Sequence, residues 1–164
     1  MASAIYPGTF DPITNGHLDI LSRATQLFEK VHVVVAVNVA KKTLFTLEER
    51  LELIRDSTLQ MSNVHVSSFE GLTVDCLRRF GAEVVIRGLR AVSDFEYEFQ
   101  MALMNKKLDA HCETIYMMPS ERYTYLNSTI IRELAALGGS VAEFVPPLVE
   151  SKLRQRLKKP KSGD

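Results

Sequence analysis

Short apolar runs alternate with segments of helical periodicity along the chain. A nearly continuous apolar run is typical of a parallel strand covered on both faces, and apolar residues three or four positions apart are typical of a helix. The predicted strands are residues 4–6, 31–37, 64–66, 83–86 and 114–118. The predicted helices are residues 17–28, a segment starting at 47, 72–80, 93–108, a segment between 127 and 138, and a segment after 147.

This alternation predicts an α/β fold, a doubly wound five-stranded parallel sheet of the Rossmann type. Residues 1–164 contain no linker and are expected to form a single domain, with residues 158–164 as a frayed tail. In such sheets ligands bind at the carboxyl ends of the strands, near the switch in strand order. We therefore expect the segments after strands one, two, four and five to carry the function.

The composition argues against several classes of protein. Hydrophobic residues make up 46% of the chain and charged residues 24%, with a formal net charge of +0, so a basic nucleic-acid surface is not expected. The longest strongly apolar stretch, residues 31–40, is too short for a membrane span, and the N-terminus lacks a signal-peptide pattern. Cys76 and Cys112 are expected to be reduced thiols of a cytoplasmic protein.

The segment 7–17 combines two glycines, two prolines and a strand-to-helix junction, which predicts a shaped loop with exposed backbone N–H groups. Such donors and the helix macrodipole attract phosphate. His17 stands where the helix begins, and an imidazole there can donate to a phosphate oxygen, more strongly when it is protonated. The alternative is a solvated capping loop with an incidental, exposed histidine.

Three further segments at the same edge of the sheet carry anion-binding side chains. They are Lys41-Lys42, residues 87–90 with two arginines, and residues 119–132, a helix start followed by Arg132. The alternatives are a solvated lysine pair, an arginine paired to a carboxylate and a plain helix cap. Their coincidence predicts an enzyme that binds a nucleoside triphosphate and a second phosphate, without a protein nucleophile and without metal ligands from the protein.

The predicted helix 93–108 carries two apolar stripes, whereas a helix on the outside of a sheet needs one. One stripe comprises Phe95, Phe99 and Ala102, and the other comprises Tyr97, Met101, Met104 and Leu108. The second stripe favours a subunit contact, and the alternative is a deeply buried helix. Glu98 lies on the same helix and is expected to face the predicted site.

Several of these segments resemble a known family. The Thr-Asn-Gly-His at 14–17 resembles the Thr/His-x-Gly-His motif of the nucleotidyltransferase superfamily, and residues 127–132 resemble its Ile-Ser-Ser-x-x-x-Arg motif. Longer strings at 6–12, 45–50 and 87–98 resemble the bacterial phosphopantetheine adenylyltransferases. The resemblance covers residues 4–157. Leu126-Asn127 stands where the family more often has Ile-Ser, although asparagine keeps the capacity to cap a helix.

The resemblance implies an adenylyltransferase that transfers AMP from ATP to 4′-phosphopantetheine. The products are dephospho-coenzyme A and pyrophosphate, and the reaction is the penultimate step of coenzyme A biosynthesis. The resemblance also implies a homohexamer, Mg²⁺ carried with ATP, and feedback inhibition by coenzyme A. No nucleic-acid or membrane partner is expected.

The resemblance also assigns residues to roles. His17 is implied as the transition-state stabiliser. The residues implied to bind ATP are Thr9, Phe10, His17, Gly88, Leu89, Arg90, Glu98, Tyr123, Thr124, Tyr125, Leu126, Asn127, Ser128 and Thr129. The residues implied to bind phosphopantetheine are Thr9, Lys41, Thr73 and Arg87.

Two alternative functions remain open at this point. One is a different nucleotidyltransferase that uses CTP or a nicotinamide precursor. The other is a non-catalytic nucleotide sensor on the same fold. The combination of His17 with Lys41 and Arg87 argues against a sensor, because a sensor does not need a second phosphate site beside the first.

Overall fold

A computed structural model describes residues 2–38, 40–90 and 92–157, without the side chains of residues 92 and 93; the predicted tail 158–164 lies outside the described residues. The strands are β1 (Ser3–Gly8), β2 (Lys30–Ala36), β3 (Val64–Phe69), β4 (Val84–Gly88) and β5 (Glu113–Met117). The helices are α1 (Asn15–Leu27), α2 (Leu47–Ser57), α3 (Thr73–Phe80), α4 (Val92–Leu108), α5 (Ser128–Ala136) and α6 (Pro147–Leu157). The strands are parallel, in the order β3-β2-β1-β4-β5, which confirms the predicted fold class.

Two of the helix ends show why these boundaries fall where they do. At the start of α2, the Thr46 N–H donates to the Glu49 carboxylate at 2.8 Å and the Glu49 N–H donates to the Thr46 hydroxyl at 3.2 Å. This reciprocal cap satisfies two donors that a helix start otherwise leaves unpaired. At the end of α3, Gly81 has a φ of 60°, a conformation that ends a helix and that glycine adopts without strain.

The core lies on both faces of the sheet. Alternate residues of β2 point to opposite faces, so that Val33 packs in one cluster with α1, α2, α5 and α6, and Val34 packs in the other with α3. Both clusters are formed by side chains that are almost completely buried. The uninterrupted run of apolar residues in β2 follows from this two-sided burial.

The strands β1 and β4 separate before their carboxyl ends. Among the described residues their pairing covers only Ala4–Val84 and Ile5–Val85, while β1 stays paired with β2 as far as Gly8. The prediction that the first strand ends before Pro7 is therefore wrong. The Pro7 carbonyl faces β4 and accepts a hydrogen bond from the Arg87 side chain. Because β4 is no longer paired with β1 at this position, the N–H that proline lacks interrupts no backbone hydrogen bonds between the two strands.

The helix α4 exposes apolar side chains from both predicted stripes. Phe99 is 48% exposed, Tyr97 62% and Met104 57% in the single chain. The alternative of a deeply buried helix is therefore wrong for the chain on its own, whereas the subunit contact stays a prediction. None of the helices in the described ranges combines the length and apolar character that a membrane crossing requires.

Candidate active site

A cavity of about 860 Å³ opens at the carboxyl ends of the strands, where β1 and β4 separate. All four segments that the sequence pattern selects contribute to its wall. The predicted site residues that line it are Thr9, Phe10, His17, Lys41, Arg87, Gly88, Arg90, Glu98, Tyr123, Leu126, Asn127, Ser128 and Thr129. Lys42 and Arg132 line it as well, so five cationic side chains surround one space.

Four predicted site residues lie outside this lining. Thr73 lines a neighbouring cavity of about 170 Å³, which shares Pro7, Arg87, Tyr97 and Glu98 with the larger one. Leu89, Thr124 and Tyr125 belong to segments that border the large cavity, but they do not line it themselves. The two cavities therefore meet at the Arg87 side chain.

The loop between β1 and α1 is held in a defined shape by buried residues. Phe10 is 3% exposed and has a φ of 48°, a left-handed conformation that non-glycine residues seldom adopt. A Cβ at Gly8 would lie 3.0 Å from the Phe10 ring, so any other residue there would press on this buried ring. The Ser128 hydroxyl donates to the Pro12 carbonyl at 2.8 Å and joins the loop to the start of α5.

His17 is fixed by the residue that caps its own helix. The Thr14 N–H donates to Nδ1 of His17 at 3.0 Å, and the Thr14 hydroxyl lies 2.9 Å from the same nitrogen. The imidazole packs edge-on to the Phe10 ring at 5.0 Å between centroids and lies 6.5 Å from the Tyr6 ring. Because Nδ1 accepts a hydrogen bond, the neutral ring carries its proton on Nε2.

The charge state of His17, which the sequence leaves open, follows from its surroundings in the folded loop. Burial lowers the pKa of His17 to about 4, and the positive charge of Arg90 acts in the same direction. The ring is therefore neutral near pH 7 and offers one N–H donor, at Nε2, rather than a charged imidazolium. Its partial burial against two aromatic rings also argues against the alternative of an incidental, exposed histidine.

Thr9 and Lys41 meet at one side of the cavity. The Lys41 ammonium donates to the Thr9 hydroxyl at 3.1 Å, across 32 residues of sequence. The Thr9 carbonyl accepts a hydrogen bond from Arg50 at 2.9 Å, and the Arg50 side chain is itself buried. An ammonium beside a hydroxyl can hold a phosphate group through charge and hydrogen bonding.

Arg87 spans the gap between β1 and β4. Its guanidinium donates two hydrogen bonds to the Glu98 carboxylate and a third, of 3.0 Å, to the Pro7 carbonyl. Pairing with a carboxylate, the alternative for this arginine, is therefore present in the structure. A guanidinium has five N–H donors, so two are left for a ligand.

The opposite wall of the cavity is built around the start of α5. The Asn127 side chain caps this helix by accepting the Ile130 N–H at 2.8 Å, which is the capping role expected of asparagine at this position. Arg90 donates to the Leu126 carbonyl at 3.2 Å and so ties the end of β4 to this wall. The remaining backbone N–H groups of the first turn are suited to bind an anion.

The segment between β5 and α5 is anchored to α1. The Asp19 carboxylate accepts hydrogen bonds from the N–H and the hydroxyl of Ser120, at 2.9 and 2.5 Å. Arg23, one turn further along α1, donates to the Met118 carbonyl. These contacts fix the segment that contributes Tyr123 to the wall of the cavity.

Several residues of the wall are absent from the sequence-based assignment. They include Tyr6, Asp11, Thr14, Ile20, Asp94, Tyr97, Pro119, Ile130 and Glu133. Asp94 forms an ion pair with Arg90 at 3.4 Å. The two residues are four positions apart in the sequence, and this spacing could have indicated that they pair. Asp11 lies inside the predicted phosphate loop, but nothing in the local sequence shows what its carboxylate contacts.

The carboxylates of the wall do not form a cage for a metal ion. In the part of the chain that the structure describes, no three side chains of histidine, cysteine, aspartate or glutamate lie together as a metal site requires. Glu98 and Asp94 are each paired with an arginine. The donors present fit a metal ion that arrives bound to a nucleotide better than one held by the protein.

Comparison with known proteins agrees with this geometry. The family model described as cytidylyltransferase-like matches residues 5–134. The phosphopantetheine adenylyltransferase of Moorella thermoacetica is 56% identical over 156 residues, covering 95% of this chain and 98% of that protein. That of Desulfitobacterium hafniense strain Y51 is also 56% identical, covering 92% of both chains.

A solved structure gives independent support for the fold. It is a candidate nicotinate-nucleotide adenylyltransferase from Vibrio parahaemolyticus, with a TM-score of 0.73 and 18% sequence identity over 97% of this chain and 98% of that one. At this identity the likeness concerns the fold alone. The family match and the two close relatives show that this chain belongs to the cytidylyltransferase-like family and, within it, to the phosphopantetheine adenylyltransferases.

Proposed function

We propose that this chain transfers AMP from ATP to 4′-phosphopantetheine, giving dephospho-coenzyme A and pyrophosphate, the penultimate step of coenzyme A biosynthesis. One observation carries the proposal. Two groups of cationic and hydrogen-bonding side chains, Thr9 with Lys41 and Arg90 with the start of α5, line one cavity together with His17. Such a space suits two phosphate-bearing substrates that must be brought together.

The reaction needs no covalent intermediate with the protein. An oxygen of the phosphopantetheine phosphate forms a bond to the α-phosphorus of ATP. The bond from that phosphorus to the oxygen bridging to the β-phosphate breaks, and pyrophosphate leaves with the electron pair. The contribution of the protein is alignment of the two phosphates and stabilisation of charge on the oxygens around the α-phosphorus.

His17 is the proposed transition-state stabiliser. Its neutral ring donates from Nε2, and the Thr14 N–H holds the ring in that tautomer. The site is partly shielded from water by the Phe10 and Tyr6 rings, and a fixed donor is more effective there than in bulk solvent. No proton has to move on His17 during the reaction.

Each of the other residues is proposed to bind either phosphopantetheine or ATP, except Thr9, which is proposed to bind both. Phosphopantetheine is assigned to Thr9, Lys41, Thr73 and Arg87, because the two cavities meet at Arg87 and an elongated acceptor can extend from one into the other. ATP is assigned to the cavity-lining residues Phe10, His17, Gly88, Arg90, Glu98, Tyr123 and 126–129, to the bordering residues Leu89, Thr124 and Tyr125, and, like phosphopantetheine, to Thr9. Mg²⁺ is proposed to enter with ATP and to screen the charge of the leaving pyrophosphate.

Assembly, regulation and location are proposed on separate grounds. The exposed apolar face of α4 supports a subunit interface, since an apolar surface of this kind is typical of one, and the family resemblance implies that the oligomer is a homohexamer. Feedback inhibition by coenzyme A is proposed because it contains the phosphopantetheine part of the product. The cytoplasm is proposed because both cysteines are unpaired.

The direct test is incubation with ATP, Mg²⁺ and phosphopantetheine, followed by detection of dephospho-coenzyme A by mass spectrometry. CTP in place of ATP, and nicotinate mononucleotide in place of phosphopantetheine, separate this activity from related nucleotidyltransferases. The matched control is His17→Ala purified in the same way, which reveals any activity carried over from the expression host. Binding of ATP without any product would favour the nucleotide sensor and contradict the proposal.

A further inference from the structure

Asp11 is a buried carboxylate at the rim of the active-site cavity. It is 4% exposed and lines the cavity wall. Its two oxygens accept backbone hydrogen bonds, from the Leu44 N–H at 2.8 Å and from the Phe45 N–H at 2.9 Å. Hydrogen bonds to an ionised acceptor are stronger than neutral ones, and burial keeps water from competing for them.

These two bonds hold one end of the segment 40–46, which we call the lysine segment because it carries Lys41 and Lys42. At the other end, the Lys41 N–H donates to the Asn38 carbonyl at 3.0 Å. Residues 40–42 between these anchors are exposed. The position of the Lys41 backbone is thus set on one side by Asn38, just after β2, and on the other side by Asp11.

The loop that carries Asp11 has supports that do not involve its carboxylate. Arg132 donates to the backbone carbonyl of Asp11 at 2.6 Å, and Arg50 donates to the backbone carbonyl of Thr9. Arg132 also lies 3.7 Å from the Asp11 carboxylate, which is a weaker contact than its bond to the carbonyl. The carboxylate is therefore free to act mainly on the lysine segment.

We propose that Asp11 is a positioning residue that places the Lys41 ammonium for the phosphate of the acceptor substrate. It acts through the N–H groups of Leu44 and Phe45, so that Lys41 is already beside Thr9 before substrate binds. A lysine on a free loop would lose conformational entropy on binding, and a loop fixed beforehand avoids most of that loss. The proposal rests on the proposed function, because it assigns Lys41 to phosphopantetheine.

The test is a double-mutant cycle between Asp11→Asn and Lys41→Ala, with steady-state kinetics for both substrates. Asparagine keeps the size of the side chain but removes its charge and one acceptor oxygen. We expect Asp11→Asn to raise KM for phosphopantetheine by about tenfold, with kcat and KM for ATP changed less than about threefold. In the Lys41→Ala background the same change should have little further effect on that KM, because the side chain through which it acts is gone.

A residue that only supports the fold gives a different pattern. If Asp11 were such a residue, Asp11→Asn would change kcat and the KM values for both substrates together. It would also raise KM for phosphopantetheine by the same factor in the wild-type and Lys41→Ala backgrounds. Either of these two results overturns the proposal. Asp56→Asn, on the exposed side of α2, is the matched control for loss of one negative charge. Absence of product from the wild-type enzyme would instead overturn the proposed function.

Amide hydrogen exchange in the wild-type protein is a second test of whether Asp11 holds the lysine segment, and it does not depend on a variant that folds. The N–H groups of Leu44 and Phe45 should exchange at least about a hundredfold more slowly than that of the exposed Lys42. Exchange of all three at similar rates would show that Asp11 does not hold the lysine segment in solution. This reading is independent of whether the enzyme uses phosphopantetheine.

Discussion

Arg87 and Glu98 form a two-point ion pair, with Nε donating to Oε2 at 2.9 Å and Nη2 donating to Oε1 at 2.6 Å. The pair joins β4 to α4 directly beside the gap between β1 and β4. The Tyr116 hydroxyl donates to the backbone carbonyl of Glu98 and fixes the helix at that point. Glu98 therefore sets the orientation of Arg87, and its own contact with ATP, which the sequence resemblance implies, stays a proposal.

Loss of the Glu98 charge should destabilise the protein. We expect Glu98→Gln to lower the free energy of unfolding by about 1–3 kcal/mol, because a charged hydrogen bond is lost and Arg87 keeps its charge in a half-buried place. Urea unfolding measures the change. Asp75→Asn breaks an ion pair with Arg78 in which both side chains are at least half exposed, and should cost about 0.5 kcal/mol or less. Equal effects of the two substitutions would contradict the structural role of the Glu98 pair.

The acceptor phosphate should be essential. Lys41 and Arg87 are proposed to bind that group, so unphosphorylated pantetheine should be a very poor substrate. Arg87→Ala should raise KM for phosphopantetheine by about tenfold or more, since at least one charge-assisted hydrogen bond is lost, and KM for ATP by much less. Initial rates at varied concentrations of each substrate provide the measurement. Turnover of pantetheine at the rate of phosphopantetheine would exclude this role for both cations.

The exposed face of α4 should hold the oligomer together. We expect the wild-type protein to have a mass in solution of six times 18.5 kDa, as light scattering would report. Met104→Glu places a charge in the middle of the exposed face and should shift the population toward smaller species, since an unpaired charge is costly to bury in an interface. Leu59→Glu, at a side chain that is 75% exposed outside α4, is the control and should leave the mass unchanged. A monomeric wild-type protein would refute the interface.

The sequence predicts those features of the molecule that depend on residues close together in the chain. The periodicity predicts the succession of strands and helices along the chain, Thr46 and Glu49 have the spacing of the reciprocal cap found at the start of α2, and Gly81 is the residue type that commonly ends a helix such as α3. Each of these depends on residues within one turn of each other. The strand β1 is the exception, because Pro7 is compatible with a central strand only where the neighbouring strand has already separated.

The features that escape sequence reasoning depend on residues far apart in the chain. The bond from Leu44 to Asp11 crosses 33 positions, and the tie between Lys41 and Thr9 crosses 32. No local pattern shows that these groups meet, since the meeting depends on how β1 and β2 lie in the sheet. The charge state of His17 stays open in the sequence for a related reason, because its burial is produced by the Tyr6 and Phe10 rings in the folded loop.

His17 should act mainly in the transition state. Removal of one comparable fixed donor in other enzymes costs about 10²–10³ in kcat, and we expect His17→Ala to lose at least that much. Binding of ATP should stay within about tenfold of the wild type, because Arg90 and the start of α5 remain in place. Stopped-flow or calorimetric binding, together with kcat at saturating substrate, separates the two effects. Normal turnover at saturation with ATP bound hundreds of times more weakly would make His17 a binding residue only.

The stability of the protein should depend on pH through His17. Burial lowers its pKa from 6.5 to about 4 in the folded chain, with a further contribution from Arg90. Between pH 6.5 and 4 the unfolded chain therefore binds more protons at this position than the folded chain does, and stability is lost as the pH falls through that range. From pH 7 to pH 5 the wild-type protein should lose about 2 kcal/mol more of its free energy of unfolding than His17→Gln, which has no titrating group there. Urea unfolding at both pH values measures the difference, and parallel losses in the two proteins would show that His17 titrates in the folded state as it does in the unfolded chain.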